Sequence, residues 1–325
     1  MKTYIYKNYT IPKWFIFYLY LIFFLSNPFS KLSAQNSKVY FTDVTKQAGI
    51  NFRYTFGDYT YENILESSGS GITIFDYNND GLPDLYMLNG TYIEGISDTD
   101  GKVFENTGNK LYKNNGNGTF TEVSQEAGVD DRNWGMAAGA IDYDNDGDLD
   151  IFSANGTAEE LILQPPLLLE NDGKGHFQNV GPELCDYFST KRSGRAAAVW
   201  DYDNDGDMDI IVSHIDLQAT ATLLRNDGAN SNHWLGLKLI GENGPASAIG
   251  ARIIVTIGNK KRVYINQWST SYLSNNDPRV HIGLGQNRHI DRIEIFWSNG
   301  RKETYNNPPI DRYLTIEEGR VPSTQ

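Results

Sequence analysis

After about residue 35 the chain alternates hydrophobic and polar positions in short runs, broken by Gly, Asn and Asp before any reaches helical length. That period of two marks half-buried strands. Strands are expected at Ile72–Phe75, Ala138–Ile141 and Ala197–Trp200, each leading into an acidic loop, and at Leu85–Leu88, Ile151–Phe152 and Ile210–Val212, each leaving one. Two further stretches, Leu111–Val123 and Leu168–Val180, write strand, Gly/Asn-rich turn, strand. A third copy begins at Leu223-Leu-Arg-Asn-Asp-Gly228 and runs into different sequence after Asn232, while Val39-Tyr-Phe-Thr-Asp-Val44 resembles the second half of such a unit. About four short strands per repeat is the composition of a propeller blade. Small residues precede each loop, at 69–71, 137–140 and 196–198, as strands crowded around an axis require.

Beyond residue 232 the alternation continues without the repeat. Trp234–Ile240, Ile253–Ile257, Arg262–Ile265, Arg292–Trp297 and Tyr313–Ile316 read as strands of an antiparallel sandwich of about 85 residues. The fold class expected is all-β: a partial or small β-propeller followed by a sandwich-like domain. The divisions are residues 1–34, a repeat region 35–232, a second module 233–318 and a tail 319–325.

The acidic loops carry the chemistry. They read Asp76-Tyr-Asn78-Asn-Asp80-Gly81-Leu82-Pro-Asp84, Asp142-Tyr-Asp144-Asn-Asp146-Gly147-Asp148-Leu-Asp150 and Asp201-Tyr-Asp203-Asn-Asp205-Gly206-Asp207-Met-Asp209. Calcium takes roughly 6 to 8 oxygen ligands, and alternate residues of a curled loop aim their oxygens at one centre. Positions 1, 3, 5 and 9 supply side chains, position 7 (Leu82, Asp148, Asp207) offers its backbone carbonyl, and the glycine at position 6 makes the sharp turn. An EF-hand needs an acidic residue at position 12 and flanking helices; here position 12 is Met87, Ser153 or Val212, and the flanks are strands. One such run would be an ordinary turn. Three, starting 66 and then 59 residues apart, predict three calcium sites at hairpin tips.

Charge and export fit that prediction. Lys2, Lys7 and Lys13 precede a 12-residue apolar stretch, Trp14–Leu25, and Leu32-Ser-Ala34 offers a cleavage point. This is the pattern of a secretory signal peptide, too short to span a bilayer, and it places the protein as secreted, periplasmic or at the cell surface with no membrane span afterwards. Its removal takes away four lysines and no acid, moving the formal charge from −13 to −17. Such a surface repels nucleic acid. Thirteen of the aspartates sit in the three loops. The sole cysteine, Cys185, has no disulfide partner and reads as a buried small hydrophobe.

These motifs carry a resemblance. Residues 39–229 resemble the FG-GAP/VCBS repeat family, whose blades are similar to those of the integrin α-subunit propeller and bind calcium in the same loops. Residues 233–318 resemble the ASPIC/UnbV domain that follows such repeats in the cartilage acidic protein-like family, through Ala248-Ile-Gly-Ala-Arg252, Ser271-Tyr-Leu-Ser274, His281-Ile-Gly-Leu-Gly285 and Trp297-Ser-Asn-Gly300. The family usually writes proline where this chain has Ser298. Closed propellers typically need 4 to 8 blades, and only three calcium repeats are present. Closure is open to three solutions: a calcium-free fourth blade from the N-terminal strand and residues 85–115, closure by the second module, or pairing between chains.

No catalytic constellation stands out. The five histidines share no metal-ligand spacing, and no nucleophile elbow or zinc helix is present. His214, after the third loop's exit strand, is the best lone candidate, with a structural or surface role the expected one, and Arg252 is a candidate ligand-facing residue whose commoner role would be to cover apolar surface with its stem. Tyr54, Tyr59, Tyr61, Tyr92 and Trp134 are candidate exposed aromatics for stacking on sugars or gripping a protein, although most of them are expected to pack between blades, and 89–108 is the loop best placed for recognition. The function expected is a calcium-stabilised binding or adhesion module for an extracellular or envelope protein or glycan. A carbohydrate-active enzyme and a structural envelope subunit are the alternatives.

Overall fold

The computed structural model describes residues 41–324 apart from 56–69, 96, 106, 158–161, 216–219, 229–230 and 270. The expected signal peptide, Tyr59 and Tyr61 lie outside the described residues. The chain divides into two compact units, residues 1–43 and 44–325. Of the first only 41–43 are described, and every described strand belongs to the second.

The described residues form five small sheets. The first blade runs β1 (Ile72–Phe75), β2 (Asp84–Met87), β3 (Lys110–Asn114) and β4 (Phe120–Glu122) as an antiparallel meander. The second repeats it with β5 (Gly135–Ile141), β6 (Asp150–Asn155), β7 (Leu167–Asn171) and β8 (Phe177–Asn179). The third has three strands, β9 (Gly194–Trp200), β10 (Asp209–His214) and β11 (Thr222–Leu224). Each acidic loop joins the first and second strands of its blade, as the alternation predicts. Residues 85–115 supply β2 and β3 of the first blade, so they are not free to build a fourth: β2 is paired with β1 on one side and with β3 on the other.

The blades pack through apolar layers. Phe75, Tyr86 and Leu111 of the first blade meet Ala138, Ile151 and Leu169 of the second, and Phe152 and Leu168 of the second meet Val199, Ile210 and Val212 of the third. The small residues 137–140 and 196–198 sit on β5 and β9, and Gly71 lies just ahead of β1. Thr73 Oγ1 donates to Ala138 O at 2.7 Å, and Gly71 N donates to Met136 O at 3.1 Å. A Cβ at Gly135 would press on Leu88 at 3.0 Å.

The second module is a two-sheet sandwich. One sheet orders as β15-β12-β18-β19, from β12 (His233–Ile240), β15 (Val280–Gly285), β18 (Tyr313–Glu317) and β19 (Ser323–Thr324). The other orders as β14-β13-β16-β17, from β13 (Arg252–Ile257), β14 (Lys260–Ile265), β16 (Arg292–Phe296) and β17 (Lys302–Asn306). Their inner faces share one core that includes Leu235, Leu237, Ile253, Ile282, Ile293 and Leu314. Burying each such side chain contributes about 1.5 to 3 kcal/mol. The expected all-antiparallel pairing is corrected at one place: β12 and β18 run parallel, with Gly236 opposite Tyr313 and Ile240 opposite Glu317.

The module lies across the three hairpin tips. Gln267 Nε2 donates to Ile74 O at 3.1 Å, Asp277 N to Val199 O at 3.0 Å, and Gly285 N to Asn145 O at 2.7 Å. All three blades are therefore tied to one body. A cavity of about 150 Å³ remains where they meet, lined by Ile74, Ala140, Val199, Tyr264, Val280 and others.

Candidate metal centres

Each tip is wound by its own carboxylates. In the first, Asp76 accepts from Asp80 N (3.1 Å) and Gly81 N (2.8 Å). In the third, Asp201 accepts from Asp205 N (3.2 Å) and Gly206 N (2.9 Å). The last carboxylate accepts from the residue after the first: Tyr77 N to Asp84 (3.2 Å), Tyr143 N to Asp150 (3.3 Å) and Tyr202 N to Asp209 (3.0 Å). The fourth position (Asn79, Asn145, Asn204) takes positive φ in all three, at 56°, 62° and 62°, a conformation asparagine tolerates better than most residues.

Two tips gather three carboxylates closely. Ligand atoms of Asp142, Asp144 and Asp146 lie within 4.8 Å of one another, and so do those of Asp201, Asp203 and Asp209. The first tip has Asn78 at its third position, so only Asp76, Asp80 and Asp84 bring charge there. Burial is the main influence on how these groups titrate. It raises the carboxyls of Asp76, Asp144 and Asp209, pushes Asp84 up to about 7 and Asp146 to about 6, and holds Asp142 and Asp150 well above the usual range, with neighbouring carboxylates adding to it. Crowded, desolvated carboxylates call for a countercharge. Asp142 Oδ1 is buried with no hydrogen-bond partner, an oxygen left free to face a cation. The donor set is entirely oxygen, which suits a hard divalent ion.

The seventh position has a second use. Asp148 accepts from Asn79 Nδ2 of the preceding tip at 2.5 Å, and Asp207 from Asn145 Nδ2 at 2.8 Å. The side chains thus link tip to tip, leaving the carbonyl for an ion. At the end of the series the module takes over: Arg279 Nη1 donates to Asn204 Oδ1 at 2.6 Å and Nη2 to Asp201 O at 2.7 Å.

Other module residues close on the tips, and of these only His281 and Gly283 fall in a motif of the sequence, His281-Ile-Gly-Leu-Gly285. Arg262 is 7 % exposed and donates to Asp146 O (3.1 Å) and Gly283 O (2.9 Å). Tyr313 OH donates to Asp201 Oδ2, and Gly283 N to Asp142 Oδ2 at 3.0 Å. His281 Nε2 lies 2.5 Å from Asn145 Oδ1, its ring stacked on Trp234 and its pKa lowered by burial to about 4. The position-6 glycines admit this approach, because a Cβ at Gly147 would strike the Arg262 guanidinium and one at Gly206 the Trp234 indole. Arg279 lies between the motifs Ser271–Ser274 and His281–Gly285, while Arg262 and Tyr313 lie in no motif.

The remaining candidates fall outside these centres. His214 Nε2 lies 3.1 Å from Thr222 Oγ1 and its ring faces Tyr187, a structural role inside the third blade. Arg252 lies over the Phe296 ring at 4.7 Å, its cross-strand neighbour. Trp134 is corrected from exposed to buried, at 1 % exposure, because it fills the space between the first strand of the second blade and the 89–108 loop. Tyr54 and Tyr92 are half-buried. The 89–108 loop is itself anchored, with Thr55 Oγ1 and Thr107 Oγ1 both donating to Gly90 O. Cys185 is corrected from buried to exposed, since it sits in the joint between two single helical turns, 181–184 and 186–189.

Comparison with known proteins agrees with both parts. The FG-GAP-like repeat family model matches residues 76–153, and the ASPIC and UnbV model matches residues 241–323. Cartilage acidic protein 1 of Mus musculus is 24 % identical over 318 residues, covering 80 % of this chain and 44 % of its own length. The proteins of that name from Xenopus tropicalis and Homo sapiens are 22 % and 23 % identical, covering 72 % and 62 % of this chain and 42 % and 39 % of their own. The chain spans less than half the length of these relatives. No helix among the described residues is long and apolar enough to cross a membrane.

Proposed function

We propose that this chain, which carries FG-GAP-like repeats followed by an ASPIC and UnbV domain, is an exported calcium-binding module that recognises an extracellular or envelope protein or glycan. Calcium is structural in this reading, one ion to each of the three hairpin tips. The observation that carries it is the geometry of the second tip, where Asp142, Asp144 and Asp146 converge, one oxygen of Asp142 stays unbonded, and the module's Gly283 N fixes the other. A bound ion offsets the repulsion among these groups and thereby joins the blades to the module. Binding rather than turnover is supported by where His214 and Arg252 lie, both engaged in packing.

Thermal unfolding with and without chelator tests the metal. An ion bound only by the folded state stabilises it by about 2.7 kcal/mol when free calcium is 100 times its Kd. Three such ions stabilise by about 8 kcal/mol, so chelation is expected to lower the Tm by more than about ten degrees. Native mass spectrometry should count three ions, and an unchanged midpoint sinks the proposal.

A further inference from the structure

The third hairpin tip differs from the other two in where it places its aromatic residues. The residue ahead of the first aspartate is Phe75, Ile141 or Trp200, and the residue after it is Tyr77, Tyr143 or Tyr202. Phe75, Tyr77 and Ile141 are buried in the layers between blades. Trp200 is half-buried and Tyr202 is 37 % exposed, and the two rings meet edge to face, with centroids 6.1 Å apart and an interplanar angle of 65°. Such packing holds both rings in a fixed orientation at the surface.

Both rings line a cleft of about 680 Å³ between the third blade and the module. Ala198 and Trp200 lie two apart on β9 and so share one face of the sheet, with Ile211 paired to Ala198 beside them. The module contributes the rest of the lining, from Lys238 on β12 and the segment 275–279. The two bodies are stitched together along the cleft: Asn276 Oδ1 accepts from Val199 N at 3.2 Å, Asp277 N donates to Val199 O at 3.0 Å, and Arg279 Nη1 donates to Asn204 Oδ1 at 2.6 Å. A site held by such contacts is formed before a ligand arrives, so little has to be ordered on binding.

The cleft sets aromatic faces beside amides. Arg279 and Asp277 neutralise each other at 2.6 Å, which leaves the amides of Asn204 and Asn275 and the ammonium of Lys238 as its polar groups, with Asn275 exposed and Lys238 half-buried. An amide both donates and accepts hydrogen bonds. A sugar ring has C–H groups on its faces and hydroxyls, each a donor and an acceptor, around its edge. Aromatic rings take the first and amides the second. The formal charge of −13 works against an acidic glycan or a phosphorylated ligand.

We propose that this cleft binds a neutral oligosaccharide, one sugar ring stacking on the Trp200–Tyr202 pair while its hydroxyls bond to Asn275 and Lys238. The proposal rests on the reading of the chain as a calcium-binding recognition module and gives that module a ligand class and a place. Arg279 joins the two parts at Asn204 and at the Asp201 carbonyl, both in the third tip, so order in that tip sets the spacing of the cleft.

The test titrates the whole protein, in calcium, with maltohexaose, cellohexaose, laminarihexaose and mannohexaose, followed by calorimetry and tryptophan fluorescence. Saturable binding of at least one is expected, weakened about tenfold by Trp200→Ala and severalfold by Asn275→Ala. Asn275 is exposed, so Asn275→Ala is expected to leave the thermal midpoint unchanged and its loss of binding is not a folding defect. The proposal is overturned if no hexasaccharide binds, if binding survives both substitutions, or if hexagalacturonate, a carboxylated counterpart, binds more tightly than the neutral sugars. A protein partner held through these residues with no hexasaccharide bound overturns it as well. Melting the same sample with and without chelator keeps the two readings apart: a midpoint that falls on chelation while no sugar binds overturns the cleft and leaves the calcium reading standing.

Discussion

The sandwich and the blades solve the same problem, holding short strands together, by opposite means. The module buries sixteen apolar residues in one core shared by two sheets. The blades divide their apolar residues between two thinner layers and put thirteen aspartates at one end. Apolar burial is the main favourable term in such a sandwich. The blades are not self-sufficient: their tips are joined to one another by Asn79–Asp148 and Asn145–Asp207 contacts and finished by Arg262, Arg279 and Tyr313 from the module. The seam between the parts, rather than either core, is then where small changes cost most.

Substitution at the seam tests that contrast most strongly. Arg279 and Asp277 form a buried pair at 2.6 Å, their side chains 15 % and 8 % exposed. Removing one partner of such a pair costs about 3 to 5 kcal/mol, because the other charge is left without compensation. Asp277→Ala is therefore expected to lower stability by about 3 kcal/mol, whereas Ile293→Val in the sandwich core should cost about 0.5 to 1.5 kcal/mol. Denaturant unfolding of the two variants in calcium checks the order. Equal losses would mean that the seam adds nothing to the cores.

Acidity separates the parts next. Asp84 titrates near 7 and Asp146 and Asp207 near 6 in the folded, metal-free protein, raised first by burial, against about 3.9 in an unfolded chain. A group whose pKa rises on folding contributes stability that is complete below its unfolded value and is lost as pH climbs through the folded one. In chelator the Tm should accordingly fall from pH 4.5 to pH 7.5, a range chosen as roughly that window. In calcium the trend should reverse, because protons compete with the ion for the same oxygens. Paired melts across that range check it, and parallel slopes in chelator and in calcium would contradict it.

The parts were not equally legible in the sequence. The hairpin tips could be read because their chemistry has a period of its own: alternate oxygens, then a glycine, flanked by apolar runs of period two. Five strands of the module showed by alternation, but β15 did not, since two glycines interrupt His281-Ile-Gly-Leu-Gly285, and one of them, Gly283, admits the Asp142 carboxylate. β17 hid because Lys302–Asn306 carries one half-buried aromatic among polar residues. The parallel pairing of β12 with β18 joins segments some 75 residues apart, and nothing local encodes it. Arg262 looked like any arginine in an alternating strand, and its burial arises only from the tip that docks on it. Trp134 and Cys185 were misplaced for the same reason, since exposure is decided by what packs on a residue rather than by its neighbours in the chain.

The smallest effect is expected at the first tip, where the two parts touch least. Leu82 stands where Asp148 and Asp207 accept from a preceding asparagine, and Asn78 stands where the other tips have a carboxylate. Over Gly81 the module places Val263 at ordinary contact distance, where the other tips meet Arg262 and Trp234. With less charge and a looser cap, this tip should bind calcium most weakly of the three. Asn78→Asp adds one anionic ligand, and since ligand charge is one of the factors that set affinity in such loops, it is expected to tighten this tip alone, by roughly tenfold if the gain is about 1.4 kcal/mol. Calorimetric titration resolves the change as the loss of the weakest binding step. If Asn78→Asp left that step in place, the difference between the first tip and the others would have to lie in the module's contacts, and Val263→Arg would be the substitution that equalises them.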